Sequence, residues 1–140
     1  MMTDLHAADG DLLFVYGTLM HATSGNKMAD LLRANSEHLG AAQMQGKLYR
    51  VNHSYPGVTD SDDPDDVVHG DLFRLDENAD KVIAALDLYE DIGGTFSEPY
   101  EYRRERRQIQ SDDGTVTAWV YIYNWPIEEA TRITNGRFIA

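Results

Sequence analysis

The sequence predicts an α+β fold: one curved mixed β-sheet or small barrel, with two or more helices packed outside it. Three observations carry this. Short apolar runs of strand character recur along the chain, and two stretches show helical spacing. The order is strand, helix, several strands, helix, strands, which is not a regular βαβ alternation. The 140 residues can bury one continuous core. A single domain over residues 1–140 is expected, with residues 1–10 a loosely ordered tail.

Each element has its own signal. Residues 12–16 (LLFVY) form a short apolar run ended by Gly17, the pattern of a buried strand. Ser24 or Asn26 can cap a helix running to about Asn35, with Met28, Leu31 and Leu32 on its inner face. Residues 43–51 (QMQGKLYRV) alternate as a strand, and Tyr55-Pro56-Gly57 reads as a turn. Residues 60–66 (DSDDPDD) form an acidic loop, and residues 67–75 (VVHGDLFRL) return to strand character. Residues 78–91 give the clearest helix, with Val82, Ile83, Leu86 and Tyr89 at helical spacing and Gly93-Gly94 to end it. Residues 100–109 and 115–123 are two strands joined around Asp112-Asp113-Gly114. A short helix is expected within residues 126–140.

Composition narrows the function. The hydrophobic fraction of 42% fits a folded protein, and no apolar run approaches the ~20 residues that span a bilayer. The formal net charge of -12 disfavours nucleic acid and anionic membranes as partners. The chain lacks cysteine, so disulfides, thiolate metal sites and a cysteine nucleophile are excluded. With a polar, acidic start unlike a secretion signal, the expected location is cytoplasmic. The five histidines show no metal-ligand spacing, Ser54 sits in no nucleophile elbow, and no phosphate-loop or dinucleotide glycine pattern occurs.

Four features remain that can carry chemistry. Tyr16-Gly17-Thr18-Leu19 follows the first strand. A glycine there permits a sharp turn that exposes consecutive N–H groups able to bind a carboxylate, although on pattern alone a plain strand-ending glycine is the commoner case. Glu90 follows Val82 and Leu86 at spacings of four, which puts a carboxylate at the end of an apolar helix stripe. Burial, the negative helix end and nearby Asp87 would all favour its neutral form, as suits an acid/base. A solvated glutamate at a fraying end is the competing reading. Arg104 and Arg106 share strand parity with Tyr100 and Tyr102, so Arg104 can face a pocket carboxylate or Glu90. Arg103, Arg106 and Arg107 read as an exposed charged strand. The acidic loop fails calcium-loop spacing, with Pro64 at the fifth position and no glycine at the sixth, and reads as solvated.

Together these residues resemble the γ-glutamylcyclotransferase-like family, which includes γ-glutamylamine cyclotransferases and small bacterial members. Phe14-Val15-Tyr16-Gly17-Thr18-Leu19 looks like its signature loop. Gly46-Lys-Leu-Tyr49 with Tyr55-Pro56-Gly57-Val58 looks like its next strand and turn. Val68-His-Gly70-Asp71-Leu72-Phe73 resembles the strand before its helix. Leu86-Asp87-Leu-Tyr89-Glu90, then Tyr102-Arg103-Arg104, resembles its catalytic helix end and the Tyr-x-Arg that follows. The match covers residues 12–123 in the family's order. It departs between Glu90 and Tyr102, where DIGGTFSEPYE is longer than in compact members.

The resemblance implies a small-molecule γ-glutamyl substrate whose carboxylate rests on the N–H groups of Gly17, Thr18 and Leu19. Tyr16, Tyr102, Arg104 and Tyr121 are further substrate-binding candidates. Glu90 is the expected catalytic acid/base in cyclisation to 5-oxoproline and a free amine, with no metal and no cofactor. A non-catalytic binding module that keeps the same pocket is the alternative. Protein partners and oligomeric state are left open.

Overall fold

A computed structural model of the chain describes residues 12–16, 27–51, 55–76, 79–89, 100–112, 114–128 and 130–138; for 27–29, 55, 80 and 86–89 it gives the backbone alone. The expected tail at residues 1–10, the caps Ser24 and Asn26, and Gly93-Gly94 lie outside the described residues.

Eight strands and two helices are described. The strands are β1 (Leu12–Val15), β2 (Ser36–Gln45), β3 (Lys47–Val51), β4 (Tyr55–Thr59), β5 (Val67–Leu75), β6 (Tyr102–Ser111), β7 (Gly114–Tyr123) and β8 (Thr131–Ile133). The helices are α1 (Lys27–Ala34) and α2 (Ala79–Tyr89). Five strands close a barrel in the order β1-β5-β2-β6-β7, and β4-β3-β8 form a separate sheet. Antiparallel pairing joins the barrel neighbours except at its closure, where β1 and β7 run parallel with Leu13 opposite Trp119.

The alternation of each strand sorts its side chains into two clusters. Leu12 and Phe14 of β1, Met44 of β2, Val68 and Leu72 of β5, Ile109 of β6, and Val120 and Ile122 of β7 pack into the first, which fills the barrel. Leu48, Val58 and Phe138 from around the small sheet join it. Leu13, Val15, Phe73, Leu75, Tyr121 and Tyr123 point the other way, and Leu32 of α1 and Val82 of α2 pack onto them. β1 is therefore buried on both faces, which is why it reads as an unbroken apolar run. Gly70 lies where β1 and β5 come closest: an added Cβ would stand 2.3 Å from the Val15 carbonyl oxygen and 2.8 Å from the Phe14 ring.

Several expectations change. The strand expected at residues 43–51 is divided at Gly46 between β2 and β3, which belong to different sheets. Gly46 N–H leaves the ladder to donate to the Asp66 carbonyl at 2.9 Å. Tyr55-Pro56-Gly57 opens strand β4 and is not a turn. β2 begins at Ser36, immediately after α1, in a stretch too polar to show strand alternation. The last residues form strand β8 and turns; among the described residues there is no helix beyond Tyr123. The β6–β7 hairpin forms as expected, closing with Ser111 opposite Gly114 at φ 114°.

Candidate functional site

Strand directions bring the chemistry-bearing residues to one end of the barrel. β1 and β7 run parallel, so their C-terminal ends share a rim. β6 runs antiparallel to β7, so its first residue, Tyr102, sits there opposite Tyr123. Tyr16, directly after β1, has the parity of Leu12 and Phe14 and packs with the barrel filling. Its hydroxyl donates to the Tyr121 carbonyl at 2.5 Å, a bond that ties the two strand ends together. The Tyr121 ring lies on the opposite, outer face with Tyr102 and Tyr123.

Tyr102 donates its hydroxyl to the Pro56 carbonyl at 2.5 Å. Its ring meets Tyr123 edge to face, with centroids 5.4 Å apart. Burial pushes the Tyr123 phenol above its ordinary pKa, and the Glu101 charge adds to the effect. Glu101, 7% exposed, is the buried charged residue among those described. Asn124 steadies this corner by donating N–H to the Glu101 carbonyl at 2.7 Å and side-chain N–H to the Tyr100 carbonyl at 2.9 Å.

Arg104 lies opposite Tyr121 in the β6–β7 register, on the face of Tyr102 and Arg106, as strand parity predicts. Its guanidinium stands 4.3 Å from the Trp119 ring centroid, and that of Arg106 stands 4.4 Å away. Two cations thus rest on one indole, a favourable cation–π arrangement. Arg103 and Arg106 are exposed, as expected of a charged strand, but Arg107 is half-buried and grips both carboxylate oxygens of Asp60 at 2.7 and 2.8 Å. Asp66, at the other end of the acidic loop, accepts from Arg132 at 2.8 Å. The loop is therefore pinned at both ends by arginines. Among the described residues no three histidine or acidic side chains converge on a possible metal position.

Tyr16, Tyr102 and Tyr121 thus gather at one rim, with Arg104 along the outer face. Gly17, Thr18, Leu19 and Glu90 lie outside the described residues; the chain enters the first three from Tyr16 and reaches Glu90 from the last residue of α2. Tyr123 and Glu101 went unnoticed in the sequence. The shared parity of Tyr121 and Tyr123 was the available signal for the former, whereas nothing in the pattern marks Glu101 as buried.

The pattern of the AIG2-like γ-glutamyl cyclotransferase family matches residues 13–140. A Vibrio cholerae protein with a provisional γ-glutamylcyclotransferase name is 35% identical over 114 residues, covering 80% of this chain and 81% of that protein. The γ-glutamylcyclotransferase family protein YtfP of Citrobacter rodentium is 32% identical over 128 residues, covering 91% and 94%. A γ-L-glutamyl-butirosin B γ-glutamyl cyclotransferase of Niallia circulans is 29% identical over 112 residues, covering 80% and 66%. The solution structure of Escherichia coli YtfP superimposes with a TM-score of 0.61 at 29% identity, covering 91% of this chain and 96% of that one. A mouse AIG2-like protein shares the fold at a TM-score of 0.65 and 21% identity, covering 85% and 80%.

Proposed function

Because the chain belongs to the AIG2-like γ-glutamyl cyclotransferase family, we propose that it converts a γ-glutamyl amine or γ-glutamyl amino acid to 5-oxoproline and a free amine. The observation that carries this reading is the family match over residues 13–140, set on a barrel whose first strand leads directly into Tyr16, on the rim shared with Tyr102 and Tyr121. In the proposed reaction the substrate carboxylate rests on the N–H groups of Gly17, Thr18 and Leu19. Glu90 takes a proton from the α-ammonium, and the freed amine attacks the γ-carbonyl of the same molecule. A five-membered lactam forms, the γ-amide C–N bond breaks, Glu90 returns its proton to the departing nitrogen, and the second proton shed by the ring nitrogen passes to the freed amine, which leaves as an ammonium. Both reacting groups belong to one molecule, so holding it folded supplies much of the acceleration.

Packing supports Glu90 in this role. Val82 of α2 shares a cluster with Tyr102, Tyr121 and Tyr123, so the helix that leads to Glu90 lies on the tyrosine-bearing face. Arg104, on that same face, is the proposed partner for a substrate carboxylate or for Glu90. Tyr16 and Tyr121 are proposed to line the pocket. The reaction as written uses no metal or cofactor, and one domain working in the cytoplasm accommodates it. The Niallia circulans relative is named for acting on a γ-glutamyl-butirosin, and this favours a second reading: removal, by cyclisation, of a γ-glutamyl cap from a larger amine.

The test is 5-oxoproline release from a panel of γ-glutamyl amines, γ-glutamyl amino acids and γ-glutamyl aminoglycosides, for wild type and Glu90→Gln. Glu90→Gln should lower kcat by about 10²- to 10⁴-fold with an unchanged melting temperature. Full activity in that variant removes Glu90 from the mechanism. Release from none of the panel by wild type favours the binding module.

A further inference from the structure

We infer that Tyr102 is a positioning residue: its hydroxyl clips the Pro56–Gly57 stretch of β4 to the barrel rim and so fixes one wall of the site. The inference rests on the cyclotransferase reading for its functional consequence, but its geometry stands apart from that reading.

Among the described residues β4 is an edge strand of the small sheet, paired on one side, with β3. An edge strand leaves backbone groups that need other partners, and proline is tolerated there because no ladder N–H is required of it. The phenol of Tyr102 has one proton, and it is given to the Pro56 carbonyl, 46 residues away in sequence. The next residue, Gly57, lies against Tyr123 so closely that an added Cβ would stand 2.9 Å from the Tyr123 Cβ and Cγ. Tyr123 is itself the ring that Tyr102 meets edge to face. Hydroxyl, ring and glycine therefore make one packed joint between β4 and the rim.

A second joint lies farther along the same two segments. Arg107 of β6 holds Asp60, the residue after β4, through two hydrogen bonds. The chain from Pro56 to Asp60 is therefore tied to β6 at two points. The Tyr102 clip is the one at the rim. A wall held in place before substrate arrives saves the ordering that catalysis would otherwise require.

Tyr102→Phe removes the hydroxyl and keeps the ring on Tyr123. Two measurements then decide. Amide exchange read by mass spectrometry should quicken about fivefold to tenfold in the peptide covering residues 55–59, with the β1 peptide unchanged. Unchanged exchange overturns the clip, whatever the activity. On the best substrate of the panel, kcat should fall about 10-fold, with an unmoved pH–rate profile. Gly57→Ala, which lifts β4 from Tyr123 and leaves the hydroxyl in place, should lower kcat in the same direction. Faster exchange with kcat and KM unchanged makes the clip structural only and overturns the positioning role. A shifted basic limb in the Tyr102→Phe profile overturns it too, by making the phenol a proton donor to substrate. If wild type releases no 5-oxoproline, the cyclotransferase reading fails, and the clip stands or falls on exchange alone.

Discussion

Arg107 shows how one side chain can organise a stretch that composition would leave to solvent. Its hydrogen bond, together with its charge, holds the Asp60 carboxyl below the usual carboxylate range. A carboxyl whose pKa is lower in the folded chain stabilises the fold above its unfolded pKa of about 3.9, and that contribution is lost as pH falls through the lower folded value. The Asp60 side chain is 53% exposed, so the pair is largely screened. Arg107→Gln should therefore cost only about 0.5–1 kcal/mol at neutral pH. Urea titrations of both proteins should show the gap closing as pH falls below the unfolded pKa of about 3.9 and through the lower folded one. A gap that stays constant from neutral to acid would show that Asp60 is not the partner that matters. This pair also marks a limit of sequence reading. DSDDPDD is correctly an exposed acidic loop at its centre, but its tethers, Arg107 and Arg132, lie far along the chain with no local pattern to announce them. Tyr102 is similar: parity puts it on the right face beside Tyr123, whereas its bond to Pro56 depends on the small sheet folding back. The Gly17–Leu19 turn and Glu90 are proposed from local patterns, a strand end and a helix stripe, and lie outside the described residues.

At the level of elements, what could be read was what depends on neighbours in sequence. β1 is apolar on both faces, α2 carries apolar residues at helical spacing, and the β6–β7 hairpin has its turn glycine. β4 was misread because Pro56 and Gly57 are turn formers by intrinsic preference. Here proline sits on an edge and glycine is required by the Tyr123 ring, so tertiary contact overrides the local signal. β8 was missed because three residues carry too little periodicity; its pairing with β3 makes it a strand. Gly70 belongs to this scale as well, since it sets how closely β5 can approach β1. Gly70→Ala would drive a methyl into the Val15 carbonyl and the Phe14 ring. Val15 directly precedes Tyr16, so the separation would displace the start of the proposed carboxylate-binding loop. We expect a stability loss of about 1–3 kcal/mol or more in thermal or denaturant unfolding, together with a raised KM for the γ-glutamyl substrate. Wild-type stability in Gly70→Ala would mean that the two strands have room to spare.

Across the whole molecule, charge is the unbalanced quantity. Acidic residues number 24 against 12 lysines and arginines, for a net charge of -12. Several of the cations are spent locally: Arg107 on Asp60, Arg132 on Asp66, Arg33 on Asp30, and Arg104 and Arg106 over Trp119. The remaining carboxylates repel one another more in the compact fold than in the extended chain. Salt acts on both terms. It weakens exposed pairs such as Arg74–Glu37 and Arg103–Glu105, each worth about 0–1 kcal/mol, and it screens the collective repulsion. The repulsion should win, because it sums over a net excess of twelve charges while the exposed pairs are few and weak. Raising sodium chloride from about 0.05 M to about 1 M, which shortens the screening length from roughly 14 Å to 3 Å, should therefore raise the melting temperature by several degrees. Potassium chloride should do the same, since the effect is one of screening and not of a specific ion. A melting temperature that falls with either salt would show that the arginine-held joints, and not the acidic surface, set the electrostatic balance of the fold.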